Sequence, residues 1–307
     1  MATILITGGT GLIGKALSAS LVKNGYDVII LTRDPSAHKP EEKIRYAHWN
    51  LDKQQIDQAA LAAADHIVHL AGAGVADKRW TESRKKEIVD SRVKSGQLLV
   101  KVLKENKNNV QSVISSSAIG WYGPDPLIPN PRPFIEEDKP DTGFLGETCL
   151  KWEESVTPLK QLGKRLVILR TGIVLSKEGG ALKEFRKPVK FGVAAILGSG
   201  KQMISWIHIE DLVRLYIRFI EHASLEGIYN AVAPKPVSNS ELVTKLAKEL
   251  KGSFYVPMHV PAFVLKMALG EMSIEVLKSA TVSCVKVHLT DFTYQYPTID
   301  AALPSLK

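Results

Sequence analysis

Three glycines, Gly8, Gly11 and Gly14, stand three residues apart directly behind a β-branched run, Thr3 to Thr7 (TILIT). A side chain in such a turn would keep the backbone away from a pyrophosphate. A helix opening there adds free N–H groups and the positive end of its dipole. Gly14, in the first helical turn, also permits close packing of helix on strand. Leu12, Leu17, Leu21 and Val22 then recur at helical spacing until Asn24-Gly25, with Gly25 suited to a C′ position. Val28 to Leu31 reads as a second buried strand. Strand, glycine turn, helix and strand form a βαβ unit, the context in which such a triplet binds a dinucleotide.

The end of the second strand distinguishes the two nicotinamide dinucleotides. Nineteen residues past Gly14, where an acid would hold the ribose 2′-hydroxyl of NAD, stands Arg33, preceded by Thr32. An arginine matches a 2′-phosphate through charge-assisted hydrogen bonds, so NADP is expected in preference to NAD. Lys39 offers a second positive charge, and Asp34 either caps a turn or reaches a ribose.

The elements that must position these groups follow from the same alternation. Asp65 to Leu70, Val110 to Ser115, Leu166 to Arg170 and Gly227 to Ala231 read as strands; Glu82 to Glu105, Glu147 to Leu162 and Leu212 to His222 read as helices. The expected fold is α/β, a doubly wound parallel sheet of the Rossmann type. Pro124 to Pro133 carries five prolines in ten residues, a stiff loop bordering the ligand crevice. Residues 1–233 are expected to form the dinucleotide domain, with 176–204 contributing to the substrate side. Residues 234–307, with helical runs at Glu241 to Leu250 and Ala262 to Leu277, read as a small C-terminal subdomain.

Composition bounds the remaining classes. The 307 residues are 45% hydrophobic and 23% charged, which excludes disorder, and the net charge is +8. Cys149 and Cys284 lie far apart and no His/Cys spacing suits a metal, so reduced thiols and no metal site are expected. No run approaches the ~20 apolar residues of a membrane helix, and no signal-peptide pattern opens the chain. A soluble cytoplasmic protein without a membrane partner is the expectation. Residues 78 to 107 hold ten Lys or Arg against four acids, yet no aromatic platform accompanies them. This segment reads as a solvated helix face, and no nucleic-acid partner is expected.

TGGTGLIG (Thr7 to Gly14), HLAGAG (His69 to Gly74), SSSAIGWYG (Ser115 to Gly123), LRTGIVL (Leu169 to Leu175) and WIHIEDL (Trp206 to Leu212) fall in the order of extended short-chain dehydrogenases. GAGVADKRWT (Gly72 to Thr81), Ser91-Arg92, FLGETCLKWE (Phe144 to Glu153), PAFVLKMALGEM (Pro261 to Met272) and YQYP (Tyr294 to Pro297) resemble an atypical, NAD-dependent epimerase-like branch. The resemblance spans essentially the whole chain. It implies that Gly8, Thr10, Gly11, Leu12 and Ile13 surround the pyrophosphate, with Thr32 and Arg33 at the adenosine ribose. It places Leu70, Ala71 and Gly72 under the adenosine side, and Glu87 and Arg92 at the cofactor's border.

Extended short-chain dehydrogenases use Ser, Tyr and Lys, the tyrosine four residues before the lysine, whose charge lowers the tyrosine pKa for proton exchange. Ser117 fits the serine and Lys151 the lysine, but Glu147 stands at the tyrosine position. Tyr122, just beyond Ser117, is the expected substitute; Glu147 with a raised pKa is another. The expectation is an NADP-dependent oxidoreductase or epimerase acting on a small carbonyl or sugar-like substrate. The alternative is a cofactor-bound regulatory or scaffold protein without turnover.

Overall fold

A computed structural model describes residues 2–39 and 41–307. Its main sheet contains β1 (Thr3–Thr7), β2 (Asp27–Thr32), β3 (Ile44–Asn50), β4 (Gln55–Ile56), β5 (His66–His69), β6 (Ser112–Ala118), β7 (Arg165–Thr171) and an edge strand, Gly227–Ala231. From that edge strand the order runs β7, β6, β5, β1, β2, β3, β4, parallel throughout except for β4. The doubly wound parallel sheet is therefore as expected. The apolar runs at Ile4–Ile6 and Val28–Leu31 are buried because helices cover both faces. Helices α1 (Leu12–Lys23) and α6 (Ile209–Glu221) pack on one face, α2 (Gln58–Ala63) and α3 (Glu82–Glu105) on the other. Strand order reverses between β1 and β5, so the crevice at a topological switch point opens directly at the glycine turn.

Two long helices read from the sequence are shorter in the structure. α4 (Phe144–Val156) gives way to a 3₁₀ segment, Thr157–Leu162, where Pro158 lacks the N–H an α-helix needs. The run from Ala262 breaks at Gly270, whose φ of +62° ends α8 (Ala262–Leu269) before a short second helix, Ser273–Leu277. Ahead of it, α5 (Ala181–Lys190) and α7 (Asn239–Lys251) cover one face of a two-stranded parallel sheet, Val193–Leu197 with Val256–Val260.

The C-terminal stretch turns back onto the main sheet. Val282, Cys284, Val287, Phe292 and Tyr294 join the core that α6 faces. Asp211, fully buried at the start of α6, accepts the N–H groups of Gln295 and Tyr296, each at 2.9 Å, and Arg214 at 2.8 Å. His208 caps α6 through Nδ1, which accepts the Glu210 N–H, and its Nε2 meets Ser305 Oγ at 3.0 Å. WIHIEDL and YQYP are thus two halves of one latch. Asp211→Ala would leave two inward-facing amides unpartnered and is expected to cost about 2–5 kcal/mol. Calorimetric melting checks this; an unchanged melting temperature would show that the latch is dispensable.

Candidate cofactor and catalytic site

β1 runs into a turn that only glycine accommodates at two places. Gly8 adopts φ +70°, and a Cβ there would lie 2.8 Å from the Leu70 carbonyl. A Cβ on Gly14 would lie 2.5 Å from both the Gly8 oxygen and the Gly9 Cα, so α1 starts in contact with the turn. Gly11 is the N-cap and supplies no side-chain acceptor, and no acid stands in the first turn of α1. The amides of Leu12 and Ile13 are thereby left open to an anion, beside Thr10, which is exposed. This backbone cradle fits a dinucleotide pyrophosphate.

At the end of β2, Arg33 is exposed and Thr32 half-buried. Asp34 turns its carboxylate onto its own chain, accepting Ser36 N–H at 3.0 Å and Ser36 Oγ–H at 2.6 Å. It is the turn cap, so the acid beside Arg33 is already engaged.

The HLAGAG loop is held from behind by side chains that recur along α3. Thr7 Oγ1 accepts the N–H groups of Leu70 and Ala71, both at 3.2 Å. Its own proton therefore goes to His69 Nδ1, 2.7 Å away. That fixes the tautomer: His69 Nε2–H donates to Ser95 Oγ at 3.3 Å, which donates to the Arg92 carbonyl at 2.8 Å. Ser91 Oγ accepts the Ala73 N–H. Arg92 is buried, reaches Ala73 O and Ile88 O from Nη1, and lies over the Trp152 ring at 4.9 Å. Gly72 leaves room for it, since a Cβ there would lie 3.0 Å from Arg92 Cζ. Arg84, also buried, binds the Gly74 carbonyl and pairs with Glu87 at 2.7 Å. Arg92 has no carboxylate partner among the described residues, which leaves a buried positive charge beside the loop. The charged segment read as a solvated face thus turns Arg84 and Arg92 inward.

At the end of β6 a second network closes on itself. Ser117 Oγ donates to Glu153 Oε1 at 2.7 Å. Arg170, 1% exposed, binds both oxygens of Glu153, at 2.8 and 2.9 Å, and lies 3.6 Å over the Trp121 ring. It also donates to the Glu136 carbonyl and to Tyr122 Oη. The Tyr122 hydroxyl donates to Asn230 Oδ1 at 2.7 Å, and burial pushes its pKa up to about 12. The structure joins Ser117 and Tyr122 in one buried cluster. Lys151 does not join them: it is exposed and pairs with Glu147, 3.7 Å away, on the outer face of α4. The inner face presents Leu145 and Cys149, four residues apart, against Gly120. Cys149 Sγ–H reaches the Ala118 carbonyl, and burial raises its pKa to about 12.

Distant motifs enclose this end. Asp125 of the proline loop accepts Ser279 Oγ–H, Thr281 N–H and Thr281 Oγ1–H within 2.9 Å. Trp80 meets Phe144 edge-on, and Lys85 reaches both Glu271, at 2.5 Å, and the Phe144 ring. Arg79 of KRWT lies against Gly270 of LGEM, where a Cβ would come within 2.7 Å of its Nε, so two segments some 190 residues apart in sequence sit together.

A family model described as the NAD dependent epimerase/dehydratase family matches residues 4–231. The chain belongs to that family. A second, a domain of unknown function (DUF1731), matches residues 260–306. An epimerase family protein of Mycobacterium leprae is 33% identical over 98% of this chain and 94% of its own length. One from Staphylococcus saprophyticus is 36% identical over 98% of each. Among solved structures, human epimerase family protein SDR39U1 with NADPH superposes with a TM-score of 0.87 at 28% identity, covering 99% of this chain and 98% of that one. A nucleoside-diphosphate sugar epimerase from Corynebacterium glutamicum gives 0.77 at 32% identity, over 99% of this chain and 57% of that one.

Within this epimerase-family chain, sequence reasoning missed Glu153, Arg170, Glu136 and Asn230. Glu153 and Arg170 lie in FLGETCLKWE and LRTGIVL, but nothing in their spacing announces a pair. Two outcomes follow. Arg170→Met leaves the Glu153 carboxylate buried without its partner and is expected to destabilise by about 3–5 kcal/mol, much of it recovered in Arg170→Met/Glu153→Gln. Denaturant unfolding checks this, and strictly additive losses would contradict it. Burial lowers the His69 pKa to about 3, whereas an unfolded histidine protonates near pH ~6.5. The unfolded state thus binds the extra proton as pH falls. Stability from this group is complete above pH ~6.5 and declines below it by up to about 1.4 kcal/mol per unit. Urea titrations across this range should show that slope, and His69→Gln should flatten it.

Proposed function

We propose that this chain is an NADP(H)-dependent oxidoreductase of the short-chain dehydrogenase type acting on a small carbonyl or sugar-like substrate. The observation that carries the cofactor reading is the pairing of an open backbone cradle at Gly8–Ile13 with an uncommitted Arg33, whose neighbour Asp34 is turned away as a cap. The NADPH bound by the human relative supports the same choice. In this reading Gly8, Thr10, Gly11, Leu12 and Ile13 hold the pyrophosphate, and Thr32 and Arg33 the 2′-phosphate end. Leu70, Ala71 and Gly72 form the wall, and the unmatched charge of Arg92 faces the cofactor's anionic groups. Glu87 acts through Arg84, which it fixes against the loop. When bound, the nicotinamide supplies or accepts hydride.

The chain's own acid–base resource is the Ser117–Glu153 pair, in which Ser117 Oγ holds the proton and Glu153 Oε1 accepts it. Tyr122, with its high pKa and a committed hydroxyl, keeps its proton and orients Asn230. Lys151 contributes surface charge. Two buried free thiols, Cys149 and Cys284, support a reducing, cytoplasmic setting.

Fluorescence titration tests the cofactor assignment. NADPH is expected to bind at least ~10-fold more tightly than NADH, a preference Arg33→Ala abolishes. Equal affinities in the wild type would contradict it. Single-turnover oxidation of bound NADPH by a carbonyl panel tests the chemistry, with Ser117→Ala slowing it at least ~10-fold; a panel without turnover would contradict it.

A further inference from the structure

α5 and α7 end side by side, and each passes its chain to one strand of the small parallel sheet through a turn carrying a phenylalanine. The turns touch: Val256 N–H donates to Gly192 O at 2.8 Å, and a Cβ on Gly192 would lie 3.6 Å from the Phe254 carbonyl. Phe191 and Phe254 are each 87% exposed, more than any other large apolar side chain among the described residues. Both helices finish in lysines, Lys187 and Lys190 on α5, Lys248 and Lys251 on α7, which suits the negative ends of their dipoles. Segments 181–191 and 248–267 together hold seven Lys or Arg and two Glu. Glu184 is paired with Lys187 and Glu249 with Lys307, so Lys190 and Lys251 keep no carboxylate partner among the described residues.

Behind the two tips lies an apolar sheet face. Val256 and Met258 register against Val193 and Ala195, while the alternate residues Ala194 and Ile196 pack toward α5 and α7. Val256 and Met258 are 61% and 53% exposed. Strand addition along this edge is disfavoured, because Val256 N–H points to the neighbouring strand and the next residue, Pro257, has no N–H for the free edge. A second copy would bring two basic collars together. An anionic bilayer instead offers acyl boundary to the aromatic tips and phosphates to the lysines.

We propose that this end of the molecule docks on an anionic lipid surface, with Phe191 and Phe254 at headgroup level and Lys190 and Lys251 on the lipid phosphates. The expectation of no membrane partner rested on the lack of a spanning segment. No described helix is long and apolar enough to cross a membrane, and surface docking requires none.

Co-sedimentation of the full chain with phosphatidylcholine vesicles, with and without phosphatidylglycerol, tests this. Binding is expected only to the anionic vesicles and should weaken with salt. Phe191→Ser/Phe254→Ser should reduce it at least ~10-fold, and Lys190→Glu/Lys251→Glu by roughly five-fold or more per lysine. Both variants should keep the wild-type melting temperature, since the side chains are exposed. Failure of the wild type to bind anionic vesicles, or undiminished binding by the phenylalanine variant, would overturn the proposal. So would a solution dimer that this variant dissociates, which would make a second copy the occupant.

Discussion

A guanidinium buried as deeply as Arg170 must be matched, and the match organises the end of the sheet where chemistry is expected. Removing an arginine from water costs several kcal/mol, which only a well-oriented partner offsets. Glu153 supplies a bidentate carboxylate, and Trp121 a ring face. Once that pair is set, Glu153 takes the Ser117 hydroxyl, and Arg170 positions Tyr122 and the Glu136 backbone. Four segments far apart in the chain are fixed by one ion pair. The Ser117 hydroxyl is thereby directed at Glu153 and the Tyr122 hydroxyl at Asn230.

The cofactor end is built differently. Among the described residues no ion pair shapes the glycine turn; backbone does. Arg92 and Arg84 take the carbonyls of Ala73 and Gly74, while the start of the HLAGAG loop is held by neutral hydrogen bonds running from Thr7 through His69 to Ser95. Such a relay works only while His69 stays uncharged, which its burial ensures. The positive charges lie behind the loop, where Arg84 is neutralised by Glu87 and Arg92 is not. One end of the crevice is therefore a pre-formed anion cradle, the other a closed polar core. That asymmetry favours binding of a dinucleotide more plainly than any particular proton transfer.

The doubly wound sheet and the glycine turn were legible in the sequence, because each depends on local chemistry over a few residues. The choice of Asp34 between a turn cap and a ribose needed the fold, which turns it onto Ser36. Boundaries were less legible: Pro158 and Gly270 cut helices that apolar periodicity alone extends. The network around Arg170 was not legible, since its members are drawn from β6, β7, α4 and the loop near Glu136, and only the folded sheet aligns them. Lys151 matched the lysine of the serine–tyrosine–lysine pattern only through the resemblance, which does not say which way a helix face turns. Helical geometry puts Cys149 and Leu145 inward instead, and Lys151 outward with Glu147. The basic surplus resolved in a similar way, part of it buried behind the cofactor loop and part gathered around Phe191 and Phe254.

β1, α1 and the HLAGAG loop thus form a dinucleotide cradle that is built before the ligand arrives. Backbone hydrogen exchange with and without NADPH tests it most directly. Added protection is expected at residues 9–14 and 70–73, with the already buried β6 and β7 amides unchanged. Protection confined to other segments, or none at the glycine turn, would contradict it.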